Sequence, residues 1–350
     1  MIKPERRGQL EIVRPEGCKE STHSTKTEGG HHLQPSGRVT FIMFKENIYL
    51  ARLGSFRIGG PSRYFFEARS KAEIEAAVKK AKADKLDIFV LGGGTNLLPS
   101  DEGYEGLVLK PNLWHLERAG SEIKVGAGVL MSELLDFAAH AGLSGLEWAG
   151  GLPGTVGGAI RGNAGAFGGE IKDVVKAVTS YDTEMFRELE RFNEECKFDY
   201  RSSLFKTERN GREIILGATL TLKSGDPEKI REEMNAKIAY RQERHPLEYP
   251  NIGSIFKNVD LEKIPISSRA KFAHVVKPDP FPVVPAAYLI SEAGLKGVTH
   301  GGAMVSPKHP NFIVNVLWAK ANDVKNLIEL TKSEVHKRFG IKLEEEVIQL

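Results

Sequence analysis

Glycine-rich backbone in the middle of the chain is the feature best suited to hold an anionic ligand. Ten of the 25 residues from 145 to 169 are glycine, against an average of about 7%. Without a Cβ, glycine adopts φ of either sign and lets its N–H group approach a ligand closely. Apolar residues such as Trp148, Val156 and Phe167 interrupt the glycines, whereas flexible linkers are polar. We therefore interpret this central glycine stretch as a binding loop whose successive amides form an anion-binding nest.

A second glycine-rich loop supports this interpretation. The apolar run Ile88–Leu91 is typical of a buried strand, and Gly92-Gly93-Gly94-Thr95-Asn96 follows at once. This first glycine loop, residues 92–96, is neither a GxGxxG fingerprint nor a Walker A motif. Two separate amide nests suit the diphosphate of a large cofactor.

The elements that must position these loops alternate between strands and helices. The segment Tyr64–Phe66, a helix with Ser70 and Glu73 as its capping box, and the strand at 88–91 predict a βαβ unit that ends at the first glycine loop. Alternating or apolar patterns predict further strands at Leu107–Leu109, Ile123–Val125, Val174–Tyr181, Thr219–Leu222 and Phe312–Val316.

Three more helices are predicted. A short one carries Leu134 and Leu135 and ends at Gly142. Another begins with Asp226 and Pro227, and its apolar stripe is Ile230, Met234 and Ile238. The last shows one apolar face and stops at Gly340; that face consists of Val324, Leu327, Ile328, Val335 and Phe339.

Composition excludes several classes of protein. The chain has 350 residues, 49 basic and 46 acidic, with a formal net charge of +3, so no nucleic-acid surface is indicated. Only Cys18 and Cys196 are present, which indicates neither a disulfide framework nor a metal site. No apolar run approaches the ~18 residues of a membrane helix. Residues 1–42 are polar and unpatterned, and we expect them to be disordered or weakly ordered.

Six motifs occur in an order that resembles the UDP-N-acetylenolpyruvoylglucosamine reductase family. The likeness extends from about Asn47 to Val347. The motifs are FRIGGPSRYF (56–65), LGGGTNLLPSDEGYEGLVLK (91–110), the central glycine stretch, YRSSLFK (200–206), GSIFKN (253–258) and LEEEV (343–347).

This resemblance implies an α/β (α+β) protein with an FAD-binding fold of the vanillyl-alcohol-oxidase (PCMH) type. That fold would comprise two subdomains, residues 43–110 and 111–223, followed by an α+β substrate-binding domain at 224–350. It implies non-covalent FAD, with the diphosphate held between the two glycine loops, and NADPH as co-substrate. The residues so assigned to the cofactor are Arg57, Gly92, Gly93, Gly94, Thr95, Asn96, Leu97, Gly151, Gly154, Thr155, Gly157, Gly158, Asn163 and Gly165.

The same resemblance implies the reduction of a vinyl ether, UDP-N-acetylglucosamine enolpyruvate, to UDP-N-acetylmuramate. NADPH would reduce FAD, and hydride would then pass from flavin N5 to the β-carbon of the enolpyruvyl group. Arg201 and Glu346 correspond to the family's enolate-stabilising pair, and Ser254 to its proton donor. Such a site needs cationic groups at the carboxylate and a positioned acid.

The residues alone leave other interpretations open. An arginine after a tyrosine is usually on the surface, a Gly-Ser pair is usually a turn, and three consecutive glutamates can be an acidic tail. If residues 343–347 form a strand, Glu344 and Glu346 share one face and Glu345 lies on the other.

Further positions would contact the substrate if the resemblance holds. These are Tyr200, Arg244, Lys257, Asn258 and His309. Val259 replaces a proline that is common in the family, and Arg244-His245-Pro246 stands where Gln-Pro is usual. The short interval from Arg201 to Ser254 resembles the second type of the family, which lacks a tyrosine-bearing loop. We expect the proline-rich segment 259–285 to cover the site instead.

We therefore predict a cytoplasmic, monomeric flavoenzyme of peptidoglycan precursor synthesis that acts on a small molecule. Two alternatives remain at this point. One is an oxidase on the same fold, which would react rapidly with O₂. The other is a nucleotide-binding protein that has lost its chemistry, although the presence of Arg201, Ser254 and Glu346 together argues against it.

Overall fold

A computed structural model describes residues 42–350. The predicted weakly ordered segment lies outside these residues except for Ile42. The helices are α1 Lys71–Ala83, α2 Met131–His140, α3 Val156–Gly162, α4 Pro227–Arg244, α5 Ile266–Arg269, α6 Ala286–Glu292 and α7 Ala321–Phe339. The strands are β1 Lys45–Tyr49, β2 Pro61–Ala68, β3 Ile88–Val90, β4 Leu97–Leu98, β5 Tyr104–Pro111, β6 Leu116–Ala119, β7 Glu122–Gly126, β8 Leu143–Ser144, β9 Gly165–Ala166, β10 Gly169–Glu170, β11 Val175–Asp182, β12 Arg187–Phe192, β13 Glu213–Thr221, β14 Lys223–Ser224, β15 Val259–Asp260, β16 Val283–Val284, β17 Thr299–His300, β18 Ala303–Val305, β19 Ile313–Asn315 and β20 Ile348–Gln349. This mixture confirms the predicted α/β class.

The first unit is a four-stranded sheet in the order β1-β2-β5-β3, in which β2, β5 and β3 run parallel. Strand β5 lies between the two strands of the predicted βαβ unit. Helix α1 begins where predicted, because Ser70 Oγ accepts a hydrogen bond from Glu73 N (3.2 Å) and Glu73 accepts one from Arg69 N (2.6 Å). Its residues Ile74 and Val78 are buried, and β3 ends at the first glycine loop.

The middle unit is a five-stranded antiparallel sheet, β12-β11-β13-β7-β6, packed against α2 and α3. Helix α3 lies inside the central glycine stretch, so this stretch is not loop throughout. Thr155 caps α3 by accepting a hydrogen bond from Gly158 N (3.4 Å). Asn163 ends it in the left-handed conformation (φ 43°).

Helix α4 begins as predicted, with Asp226 accepting a hydrogen bond from Glu228 N (2.9 Å) and Pro227 in the first turn. Its buried residues Ile230 and Met234 pack into the core of the middle unit, beside Trp148. Helix α4 is thus attached to the second unit by its apolar face.

That last core is made by α6, α7 and the three-stranded sheet β17-β18-β19. Phe56, Ile58 and Leu98 of the first unit belong to the same cluster. The carboxylate of Asp101 accepts hydrogen bonds from Ala321 N (2.8 Å) and Asn322 N (3.2 Å), which satisfies two amides at the start of α7. Strand β20 pairs in parallel with β4. The first and last units therefore share one core.

In the described part of the chain, no helix is both long and apolar enough to cross a membrane. Residues 42–350 likewise contain no cluster of three or more His, Cys, Asp or Glu side chains able to hold a metal ion.

Candidate active site

The two glycine-rich stretches lie against each other. A Cβ added to Gly93 would lie 2.8 Å from the Cα of Gly154, and one added to Gly92 would lie 3.0 Å from Thr155 Oγ1. Gly154 itself has φ +106°, a conformation that favours glycine. Gly92, Gly93 and Gly154 therefore permit the close backbone approach between the end of β3 and the start of α3.

The amides of the first glycine loop are available to a ligand. None of the N–H groups of residues 92–96 donates a hydrogen bond to a main-chain carbonyl within residues 42–350. Backbone N–H groups are strong donors that are rarely left without an acceptor. A run of them beside a helix N-terminus suits an anionic group such as a diphosphate. The residues present therefore fit the diphosphate of FAD.

The other predicted cofactor residues divide by environment. Gly157 N donates to Ala127 O (2.9 Å), which fixes α3 on the middle sheet. Gly151 packs on Arg241 of α4, and Gly165 lies beside the Arg201 guanidinium. Leu97 is buried in β4. Arg57 is exposed and has φ 56°.

Arg201 and Glu346 form an ion pair. Arg201 Nε lies 2.8 Å from Glu346 Oε1, and both side chains are about one-fifth exposed (21% each). The Nε–H direction does not meet hydrogen-bond geometry, so the contact is a charge pairing rather than an aligned hydrogen bond. Arg201 Nη2 donates to Gly165 O (2.8 Å), which attaches the guanidinium to the central glycine stretch.

The Arg201 loop, residues 199–203, is held by hydrogen bonds from side chains to main-chain oxygens. Asn163 is fully buried, and its Nδ2 donates to Asp199 O (2.9 Å). Ser203 Oγ donates to Arg161 O (2.7 Å). Arg201 has φ 54°, a conformation that is uncommon for a residue with a side chain. These contacts give Asn163 a positioning role between α3 and Arg201.

Glu346 is positioned by a short pairing with the segment that carries Ser254. Glu346 N donates to Ile255 O (2.8 Å), and Lys257 N donates to Glu344 O (2.9 Å). Asn96 Nδ2 of the first glycine loop donates to Glu346 O (3.1 Å). Ser254 is half-buried and immediately precedes Ile255, whose carbonyl oxygen accepts the hydrogen bond from Glu346 N.

The three glutamates have different partners. Glu344 pairs with Lys257 (3.4 Å) and Lys263 (2.8 Å). Glu345 contacts Lys332 of α7 and accepts a hydrogen bond from Gln349 (2.6 Å). Only Glu346 of the three faces Arg201 in residues 42–350. The side chains of Glu345 and Glu346 therefore point to different partners, as expected for an extended segment in which successive side chains alternate between faces.

Cationic side chains that the sequence reasoning did not single out surround this pair. Lys206 Nζ donates to Arg201 O (2.9 Å). Burial, followed by the charge of Lys257, lowers the pKa of Lys206, which Glu346 partly opposes. Burial also lowers the pKa values of Arg161 and Arg241. Lys206 could have been selected from the sequence, because it is the last residue of the YRSSLFK motif. The proximity of Arg241 to Arg201 depends on how α4 packs, which the sequence does not reveal. This excess of positive charge suits an anionic ligand.

The predicted substrate residues are dispersed around this centre. The Tyr200 ring centroid lies 5.1 Å from the Arg201 guanidinium carbon. Asn258 Oδ1 accepts a hydrogen bond from Ala286 N at the start of α6 (3.2 Å). Arg244 lies exposed at the end of α4 and pairs with Glu243 (3.2 Å). His309 packs against His245, with ring centroids 5.4 Å apart, and burial is the main reason that the pKa of each is lowered to about 4.

Comparison with known proteins gives a consistent family assignment. The family model described as "UDP-N-acetylenolpyruvoylglucosamine reductase, C-terminal domain" matches residues 245–350, and the model described as "FAD binding domain" matches residues 62–184. The UDP-N-acetylenolpyruvoylglucosamine reductase of Carboxydothermus hydrogenoformans is 38% identical over 85% of this chain and 91% of its own length. The reductase of the same name from Solibacter usitatus is 36% identical over 83% of this chain and 92% of its own length.

A solved structure agrees with the sequence relatives. The crystal structure of UDP-N-acetylenolpyruvylglucosamine reductase from Thermus caldophilus superposes with a TM-score of 0.69 and 31% identity, and the match covers 88% of this chain and 99% of that one. The chain therefore belongs to the UDP-N-acetylenolpyruvoylglucosamine reductase family and is an FAD-dependent oxidoreductase.

Proposed function

We propose that this protein reduces UDP-N-acetylglucosamine enolpyruvate to UDP-N-acetylmuramate with NADPH as the source of electrons. The observation that carries the proposal is the Arg201–Glu346 ion pair, which brings together two residues that the family resemblance assigns to one chemical role. The name shared by the relatives supports the substrate class. The reaction would supply peptidoglycan precursor in the cytoplasm.

The glycine loops would hold the cofactor. The amides of residues 92–96, which donate to no main-chain carbonyl within residues 42–350, would bind the FAD diphosphate. Gly93 and Gly154 would keep the two loops in contact. When bound, FAD would accept two electrons from NADPH and supply hydride to the β-carbon of the enolpyruvyl group.

Arg201 would bind the carboxylate of that group. A guanidinium is permanently charged and binds carboxylates through parallel N–H groups. Its contacts with Glu346 and Gly165 restrict the orientation of the guanidinium before the ligand binds. Because negative charge moves toward the carboxylate as hydride adds to the β-carbon, a fixed cation at this point stabilises the transition state more than the ground state.

Ser254 would then donate a proton to the α-carbon, so that one hydride and one proton together saturate the double bond. A serine hydroxyl is a weak acid in water. The positive charges of Arg201 and Lys206 would favour the deprotonated oxygen that remains, and solvent would return its proton. Lys206, Arg161 and Arg241 would also select a ligand that carries both a diphosphate and a carboxylate.

An anaerobic spectrum of the purified holoenzyme tests the proposal. The protein should be yellow, bleach when NADPH is added, and regain its colour when the enolpyruvyl sugar nucleotide follows, with UDP-N-acetylmuramate identified by mass spectrometry. UDP-N-acetylglucosamine, which lacks the enolpyruvyl group, is the matched control and should leave the protein bleached. Rapid recovery with O₂ alone, or no recovery with the enolpyruvyl substrate, would contradict the proposal.

A further inference from the structure

The 259–285 segment contacts the Arg201 loop through the side chain of Phe281. Its two ends pair as β15 and β16, with Val259 opposite Val284, and Lys277 bridges Val283. Beyond that bridge, residues 278–282, which we call the tip, are exposed except for Phe281. One half-buried aromatic residue in an otherwise exposed tip indicates that its ring has a specific partner.

That partner is Tyr200. The rings of Phe281 and Tyr200 pack edge to face, with centroids 5.2 Å apart and planes at 79°, which is a favoured geometry for an aromatic pair. The Tyr200 ring also lies beside the Arg201 guanidinium, whose carbon lies 5.1 Å from the ring centroid. A continuous series of contacts thus runs from Phe281 through Tyr200 and Arg201 to Glu346.

The tip also lies beside the central glycine stretch. The carboxylate oxygen Oδ2 of Asp279 is 3.9 Å from the position that a Cβ on Gly168 would occupy. The tip therefore approaches the site at two places, the Arg201 loop and the turn at Gly168. These contacts support the expectation that the 259–285 segment covers the site.

The Arg201 side chain needs such support. Its main chain is fixed by Lys206 in a left-handed conformation, but in the described chain its guanidinium is attached only by Glu346, Gly165 O and the Tyr200 ring. A tyrosine ring free to change rotamer would leave one side of the guanidinium unsupported. Packing by Phe281 restricts that rotation.

We propose that Phe281 is a positioning residue, which acts through Tyr200 to hold the Arg201 guanidinium toward Glu346. The expected change in rate rests on the proposed function, whereas the contact between Phe281 and Tyr200 does not depend on it. A precise placement of the catalytic cation matters because small displacements from the productive geometry slow a reaction strongly.

The test uses Phe281→Ala, Phe281→Tyr, which keeps the ring, and Ile266→Ala, which alters an exposed residue of the same segment (81% exposed). In the FAD-loaded full chain without substrate, hydrogen exchange of the 199–203 amides should be faster in Phe281→Ala only. The rate at which the enolpyruvyl substrate reoxidises the reduced enzyme should fall about two- to twelve-fold in the same variant, the range expected for one aromatic pair. Reduction by NADPH should stay at the wild-type rate.

A double-mutant cycle separates positioning from a general effect on folding. If Phe281 acts through Tyr200, Phe281→Ala should add no further loss of reoxidation rate to Tyr200→Ala. Additive losses would overturn the proposal, as would unchanged exchange in Phe281→Ala or an unchanged reoxidation rate. If the wild-type enzyme does not reduce the substrate, the proposed function fails instead, and the exchange comparison alone then decides whether Phe281 holds the loop.

Discussion

Lys206 donates a hydrogen bond from Nζ to the main-chain oxygen of Arg201, at 2.9 Å. The donor is half-buried, and burial lowers its pKa. The contact fixes the carbonyl of a residue whose φ is 54°, and strained backbone of this kind persists only where its surroundings hold it. Lys206 therefore contributes to the site both a positive charge and the conformation of the loop.

Replacement of Lys206 should impair the chemistry. Lys206→Met keeps the aliphatic stem but removes the donor, and a hydrogen bond from a charged group contributes about 1.5–3 kcal/mol. We expect the rate of substrate reduction to fall about 10- to 100-fold in stopped-flow measurements. Lys206→Arg should restore part of this loss, and Lys271→Met, at an exposed position, is the control. A wild-type rate in Lys206→Met would show that the contact is not needed.

Variants of Glu346 and Glu345 should distinguish a catalytic carboxylate from a structural one. Glu346→Gln removes the charge that faces Arg201, and we expect the rate of substrate reduction to fall by about 100-fold, as for other groups that stabilise developing charge. Glu345→Gln changes a side chain that contacts Lys332, so its rate should match wild type. Equal kinetics of the two variants would refute the role given to Glu346.

Ser254→Ala should separate the two half-reactions. Flavin reduction by NADPH requires no proton at the α-carbon, so its rate should be unchanged. Substrate reduction should slow by about 10²- to 10⁴-fold, the usual contribution of a general acid. Ser267→Ala, at an exposed position of the 259–285 segment, controls for the loss of a hydroxyl elsewhere. An equal loss in both half-reactions would show that Ser254 is not the proton donor.

The contact between the glycine loops predicts that an alanine is tolerated at Gly162 but not at Gly93. Gly93→Ala places a Cβ 2.8 Å from the Cα of Gly154, and overpacking of this kind costs about 1–3 kcal/mol. We expect the dissociation constant of FAD, measured by fluorescence titration, to rise about 5- to 150-fold. Gly162→Ala meets nothing within 4 Å and should bind FAD as wild type does. Tight FAD binding by Gly93→Ala would mean that the loops can separate without loss of the cofactor site.

The buried pair His245 and His309 predicts that the free energy of unfolding decreases at acidic pH. Burial, and for His245 the neighbouring His309, lowers both pKa values from 6.5 to about 4. Between these pH values the unfolded chain binds more protons than the folded one, so the free energy of unfolding should decrease as the pH falls from 6.5 to 4. His309→Phe should make that decrease shallower in denaturant titrations, whereas His336→Gln, at an exposed position, should not. Parallel curves for wild type and His309→Phe would exclude this linkage.

Local signals predicted the elements but not all of their partners. The capping residues Ser70 and Asp226 and the stop at Gly340 act over one helical turn, and each was correctly read from the sequence. Helix α3 was missed because glycine disfavours helix. Here tertiary packing on Ala127 and the cap at Thr155 outweigh that preference.

The site was less accessible to sequence reasoning than the fold. Arg201, Ser254 and Glu346 were selected by family resemblance, and each had a commoner structural interpretation. Their mutual placement depends on the pairing of Glu346 with Ile255, which no local pattern encodes. The contacts of Lys206 and Phe281 were not predicted, because each depends on the conformation of loop residues that lie outside the helices and strands.

The hydrogen bond from Ser100 N to Leu350 O (2.6 Å) has a consequence for synthesis. The edge at β4 and the cap that Asp101 gives to α7 are completed by segments that lie at least 220 residues later in the sequence. These groups of the first unit therefore stay unsatisfied until those segments have been synthesised. Contacts between such distant segments slow folding, and removal of residues 348–350 should leave the newly made first unit open to chaperones and proteases.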